Sequence, residues 1–213
     1  MKKQILKKSG LSVAFLLLAS LASSHAASIT VGNFSFEDNT SVGAFPPPTI
    51  WVSGAGSTYT EDTASISLTE GTGARHGGLD DLGSFSQDLG VTFLPSTVYT
   101  LTVAVGNRQA NVFNGSSGFS NFGLTADNGT TPLGPFTQEA GIVNAFTDYT
   151  YTFTTGLVAP TGNVGILLTN SNGPTGRRAL FDNVRLDATA VPEPSAALLG
   201  GLGLLGLLVR RRR

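Results

Sequence analysis

Val98-Tyr99-Thr100-Leu101-Thr102-Val103-Ala104-Val105 sets Tyr99, Leu101, Val103 and Val105 at every second position. Successive side chains of an extended chain point to opposite faces, so these four line one apolar face. Residues 147–155 repeat the pattern, with Tyr149, Tyr151 and Phe153 on one face and threonines on the other. Val164, Ile166 and Leu168 alternate in the same way. Working outward, residues 119–126 and the pair Ile66 and Leu68 read as further short strands, residues 29–36 as the first and residues 179–186 as the last. Turn signals separate them: Gly71-Thr72-Gly73, Gly77-Gly78, Asn114-Gly115, Asn128-Gly129, Thr161-Gly162-Asn163 and Asn172-Gly173-Pro174. No stretch carries a useful helical period, and no internal repeat is visible. Phe45-Pro46-Pro47-Pro48 reads as a stiff loop, because strand-like text resumes at Thr49. Eight or nine short strands between residues 28 and 187 predict an all-β fold, an antiparallel two-sheet β-sandwich of the jelly-roll kind.

The chain has 213 residues, 40% hydrophobic and 13% charged, which suits one globular domain plus processing segments. Its formal charge of -1 conceals a strong asymmetry. All four lysines lie within the first eight residues, and Arg210 to Arg213 close the chain. Between Ala27 and Val191 five arginines face thirteen acids, a net charge of -8. So acidic a domain repels nucleic acid and anionic lipid and tolerates divalent cations; nucleic acid is excluded as a partner. The absence of cysteine removes disulfides, thiolate metal sites and cysteine nucleophiles.

The ends carry the targeting information. Lys2, Lys3, Lys7 and Lys8 precede an apolar run from Leu11 to Leu21, and Ser24 and Ala26 supply small residues at the -3 and -1 positions of a cleavage site. That order is a secretory signal peptide over residues 1–26. The sandwich domain then occupies residues 27–190 and a tail residues 191–213. The tail reads Val191-Pro192-Glu193-Pro194-Ser195, an apolar run rich in Gly and Leu, and four arginines. A helix over residues 195–209 would rise about 22 Å, a short span for a hydrocarbon core of about 30 Å. The arginines would keep the C-terminus in the cytoplasm and the domain outside.

Pro-Glu-Pro, a short Gly-Leu helix and a terminal arginine cluster together resemble the PEP-CTERM sorting tail. The resemblance implies export in a Gram-negative bacterium and a single transmembrane helix as inner-membrane intermediate. It further implies recognition at Pro192, Glu193 and Pro194 by an exosortase-type membrane protease, then release to the cell surface or exopolysaccharide matrix. The alternative is a plain C-terminal anchor, retained without processing.

Val31-Gly32-Asn33-Phe34-Ser35-Phe36-Glu37 at the start of the domain and Leu180-Phe181-Asp182-Asn183-Val184-Arg185-Leu186 at its end look like the jelly rolls of galactose-binding-like domains and carbohydrate-binding modules. In that architecture the first and last strands are neighbours. The resemblance implies a structural calcium there, held by the opening Glu and the closing Asp, here Glu37 and Asp182; calcium takes six to eight oxygen ligands. The competing reading gives both residues only turn and strand-end hydrogen bonds.

Catalysis finds little support in the sequence, and the chain reads as no enzyme. The mature domain has one histidine, His76, and no lysine. No nucleophile-elbow pattern surrounds any serine, and Arg75-His76-Gly77-Gly78 reads as a solvated loop. The carboxylate pairs Glu61-Asp62 and Asp80-Asp81 read as surface charge. Sugar binding is the better idea, since such sites stack a ring on an aromatic face and hold hydroxyls with amide and charged side chains. Trp51, Asn107 and Arg108 are the candidates, with Gln87 and Phe136 behind them, although Trp51 between Ile50 and Val52 fits a core equally well. Four Asn-x-Ser/Thr sequons, at Asn33, Asn39, Asn114 and Asn128, read as turn and strand chemistry rather than glycan acceptors. Two functions remain: a non-catalytic surface or matrix protein, and a carbohydrate-binding module displayed at the cell surface.

The protein isolated from its own host should lack residues 1–26 and everything beyond roughly Pro194. Intact-mass measurement checks this, and retention of Arg213 on most of the cell-associated protein would refute tail processing.

Overall fold

A computed structural model describes residues 25–38, 48–54, 56–62, 73–80, 82–107, 119–127, 131–143, 145–171 and 178–192, with a few positions of the tail. The strands are β1 (Ala26–Ile29), β2 (Val52–Ser53), β3 (Ser57–Asp62), β4 (Arg75–Asp80), β5 (Ser84–Thr92), β6 (Thr97–Asn107), β7 (Ser120–Ala126), β8 (Thr131–Pro132), β9 (Thr137–Glu139), β10 (Ile142–Val143), β11 (Phe146–Thr154), β12 (Asn163–Asn170) and β13 (Arg178–Ala190). They form two sheets. The first runs β10-β6-β13-β4-β3, with β1 also paired to β13 and β11 to β6; the second runs β2-β5-β12-β7-β8, with β9 paired to β7. Every pairing is antiparallel except β10 with β6. The expected all-β, two-sheet architecture is therefore present.

The two alternating stretches that announced the fold are neighbours. Residue pairs run from Phe146 opposite Gly106 to Thr154 opposite Val98 without interruption. Tyr99, Leu101, Val103 and Val105 enter the core with Phe181, Val184 and Leu186 of β13, and meet Phe85, Phe122, Leu124, Val164, Ile166 and Leu168 of the second sheet. β1 pairs with β13, Ala26 opposite Thr189, so opening and closing segments are adjacent as the jelly-roll resemblance implied.

Three expectations need correction. The first strand ends at Ile29 and does not reach Phe36. Asn33 and Phe36 take positive φ (43° and 59°), and Phe36 N–H donates to Asn33 O, so a turn replaces the strand. Asn33 also binds Thr49 O through its side-chain amide and accepts from Asp38 N–H, which confirms turn chemistry at that sequon. Arg75 to Gly78 is no solvated loop but part of β4, with His76 fully buried. Gly77 is a seat and not a turn: a Cβ there would lie 2.6 Å from the Phe36 ring. Phe36 in turn stacks on Trp51, ring centroids 5.5 Å apart. The proposed strand at Ile66 and Leu68 lies outside the described residues, as does residues 1–24 of the signal peptide. The expected tail helix falls almost wholly outside them too, and among the described residues no helix is long and apolar enough to cross a membrane.

Gly77→Ala should lower the unfolding free energy by about 1–3 kcal/mol, the usual cost of overpacking a filled core. Combining it with Phe36→Leu should cost less than the sum of the two single changes, because the same contact is removed twice. Urea denaturation of the four proteins measures both quantities.

Candidate functional site on the outer face of the first sheet

Alternation along β4 sends Gly77 and Leu79 to the core and His76, Gly78 and Asp80 to the opposite face of the sheet. In antiparallel strands, directly opposed residues share a face. Arg178 stands opposite Asp80, Leu180 opposite Gly78 and Phe181 opposite Gly77, so Asp182, one residue on, shares the face of His76. On the other edge of β13, Leu180 is opposite Gly106 and Asp182 opposite Ala104. β11 adds Phe146, whose ring rests on Gly106; a Cβ there would lie 2.7 Å from it.

The result is a second apolar cluster, Ala104, Phe146 and Leu180, distinct from the main core. Two titratable side chains are set into the same face. The His76 ring lies with its centroid 5.6 Å from that of Phe146. His76, Leu180 and Asp182 are fully buried. Arg178 and Asp80 close the row as an ion pair at 2.8 Å.

Burial, and secondarily the nearby Arg178 charge, push the His76 pKa down from 6.5 to about 3. The ring is therefore neutral at physiological pH, with one donor and one acceptor nitrogen. Among the described residues neither nitrogen has a hydrogen-bond partner. An unmet polar group in an apolar setting is costly, and a ligand offering a complementary donor or acceptor would remove that cost. Asp182 Oδ1 accepts from Asn183 N–H at 2.7 Å, where Asn183 takes a positive φ of 47°.

Of the residues expected to bind sugar, Trp51 and Gln87 come together where β2 pairs with β5, and Asn107 lies in the other sheet. Trp51 is in the core, 4% exposed, its indole N–H donating to Asn33 O; of its two readings the structure takes the core one. Gln87 is also buried and pins the opening turn, exchanging two hydrogen bonds with the Gly32 backbone at 2.8 and 2.9 Å. Phe136 packs over Gly123. Asn107 ends β6, buried, its Oδ1 without a partner. Arg108 lies outside the described residues. Glu37 and Asp182 belong to segments joined by a Val184 N–H bond to Phe34 O. Glu37 Oε1 accepts from Arg75 N–H at 2.7 Å. Among the described residues no group of three His, Asp or Glu side chains could hold a metal ion. His76 was missed because adjacent glycines read as a turn; its place beside Asp182 depends on pairing between segments a hundred residues apart.

Two sequence families match the chain. The model described as HpiC1-like, HpiC1 cyclase, covers residues 27–187. The PEP-CTERM protein-sorting motif covers residues 190–213. The chain thus carries the sorting tail of an exported Gram-negative protein that exosortase processes. No curated relative matches. Among solved structures, a Stig cyclase from Fischerella sp. TAU in complex with (3Z)-3-(1-methyl-2-pyrrolidinylidene)-3H-indole shares 22% identity and a TM-score of 0.66, over 79% of this chain and 100% of that one. A Fischerella sp. TAU cyclase in complex with 4-(1H-indol-3-yl)butan-2-one shares 20% identity and a TM-score of 0.64, over 78% and 100%. The CBM22-1 xylan-binding domain from Paenibacillus barcinonensis Xyn10C follows at 13% identity and a TM-score of 0.46, over 75% and 94%.

Because the folded-state pKa of His76 lies below its value of 6.5 in an open chain, the unfolded state binds more protons between the two. The stability it contributes is complete above pH 6.5 and is lost as pH falls toward about 3. Wild type should therefore lose stability relative to His76→Phe by up to about 1.4 kcal/mol per pH unit below that point. A difference that stays flat from pH 7 to pH 4 would show a solvated ring.

Proposed function

This chain belongs to the HpiC1-like family, and from that premise we propose that it is an exported, tail-sorted protein whose sandwich binds a small, mainly apolar molecule on the outer face of the first sheet. The supporting observation is the buried His76, whose two nitrogens have no partner among the described residues, set beside Asp182 against Phe146, Leu180 and Ala104. Ligand sites combine an apolar lining with a few polar groups that fix orientation. After exosortase cleavage the domain works at the cell surface or in the extracellular matrix, as a binding module and not an enzyme. A histidine held neutral down to about pH 3 is a hydrogen-bonding group at neutral pH. A general acid or base needs a pKa near the working pH.

A second reading, cyclase chemistry, is favoured by the cyclase family that the chain matches over residues 27–187 and by a fully buried carboxyl, Asp182, on an apolar face. Display of a polysaccharide-binding module loses ground with Trp51 in the core.

The bound compounds of the Fischerella cyclases make 3-substituted indoles the first probes. At a hundredfold excess over Kd such a ligand should stabilise the mature protein by about 2.7 kcal/mol, an upward shift in Tm of roughly 5–10 °C. His76→Phe should abolish the shift, and xylo- and gluco-oligosaccharides should produce none. An oligosaccharide shift that survives His76→Phe would overturn the proposal in favour of the sugar module. New cyclised products by mass spectrometry would establish the second reading.

A further inference from the structure

At the end of the sandwich from which the tail departs, the segments nearest the tail are apolar and uncharged, and the carboxylates of Asp127 and Asp88 border them at Gly162 and Asn163. Residues 93–97, 155–162 and 190–192 contain no charged side chain, in a domain that carries thirteen acids. They are laced into one surface by backbone bonds. Ser96 N–H donates to Gly156 O at 2.8 Å, Thr155 N–H to Thr97 O at 2.9 Å, and Val191 N–H to Ser96 O at 2.7 Å. The Thr155 hydroxyl adds a bond to Leu94 O at 2.7 Å. On this surface Leu94 is 58% exposed, Leu157 82%, Val158 87% and Val191 40%. Four large aliphatic side chains on bonded neighbouring segments form a patch, unlike apolar residues scattered singly.

Chain length says what covers the patch. Val191 is bonded into the domain, and the apolar tail begins after Pro194. Four residues from Val191 to Ser195 reach at most about 14 Å when fully extended. The headgroup layer on one side of a bilayer is itself about 5–8 Å thick. A tail helix shorter than the hydrocarbon core draws its attachment point closer still. An embedded tail would therefore keep this end of the domain within that reach of the lipid interface.

We infer that Leu94, Leu157, Val158 and Val191 form a membrane-contact surface that seats the unprocessed protein on the outer leaflet and holds the Pro192-Glu193-Pro194 segment at the bilayer surface. It goes beyond the ligand-binding reading and rests only on the sorting tail. Aliphatic side chains enter the boundary between headgroups and acyl chains, and the missing acids spare the surface repulsion from anionic lipid. After cleavage nothing but this patch would hold the domain, so release follows loss of the tail.

The native chain has no cysteine, so single-cysteine probes are unambiguous. Full-length precursor carrying Leu94→Cys, Leu157→Cys or Ile142→Cys is labelled with an environment-sensitive fluorophore. It is then reconstituted into phosphatidylethanolamine–phosphatidylglycerol vesicles and read on the fraction recovered by flotation. Ile142 is 51% exposed and pairs with Gly106, at the far end of β6, about 30 Å from Thr97. Lipids brominated on the acyl chain should quench the probes at 94 and 157 about twofold, at a depth of about 5–10 Å, and leave the probe at 142 unchanged. Leu157→Asp with Val158→Asp should remove quenching at 94 with an unchanged circular dichroism spectrum, both sites being too exposed to threaten the fold. Equal quenching at 157 and 142 overturns the inference. So does self-quenching that rises with the protein-to-lipid ratio, which would mean that a second copy covers the patch.

Discussion

Strand β13 is bonded along both edges, and the places where that bonding changes hands organise the molecule. β6 lines one edge. On the other, β1 serves residues 186–189 and β4 serves residues 178–181. Between those partners the edge would expose unpaired backbone groups inside the fold, a costly omission. The opening turn fills the gap, with Phe34 O accepting from Val184 N–H at 2.9 Å. At the same level one extra residue enters β13, because three steps from Asp182 to Arg185 match two steps from Ala104 to Thr102. A bulge re-aims side chains and bends its strand. Here it leaves Asp182 on the outer face and Val184 in the core, with Asn183 absorbing the extra length at positive φ.

Aromatic rings seated on glycines are the second recurring device. Phe36 lies on Gly77, Phe146 on Gly106 and Phe136 on Gly123, each too close for a Cβ at the seat. The first seat lets Phe36 reach Trp51 and Phe85 inside the sandwich, and the second brings Phe146 down onto the outer face beside His76. Glycine in a strand interior weakens the strand and marks a close approach. The approaching group here is the chain's own ring.

These devices explain what could be read in the sequence. Alternation in residues 98–105 and 147–155 was legible because each of those strands has one apolar face buried and the other lined mainly by threonine. β4 was illegible for the opposite reason: His76, Gly77, Gly78 and Leu79 are all buried, so no alternation survives. Its Gly-Gly pair resembles a turn until the Phe36 ring seated on Gly77 is known. The end motifs were read correctly as neighbours, yet which of their residues share a face with His76 depends on the β13 register and its bulge. Trp51 could be core or platform on local sequence alone, since the deciding partners, Phe36 and Phe85, come from fifteen residues before and thirty-four after it.

Orientation links the two surfaces. The outer-face cluster draws on Ala104 and Gly106 near the end of β6, whereas the apolar end of the sandwich begins at Thr97. Seven to nine residues of strand separate them, about 23–30 Å at the usual rise. A domain seated by Leu94, Leu157 and Val158 would therefore carry His76 and Asp182 on the side away from the bilayer. The acidic character of the remaining surface acts in the same sense, since anionic headgroups repel every other approach. Chain direction alone would produce this polarity: the strand that delivers Leu180 and Asp182 to the outer face at its start ends at Ala190, beside Val191.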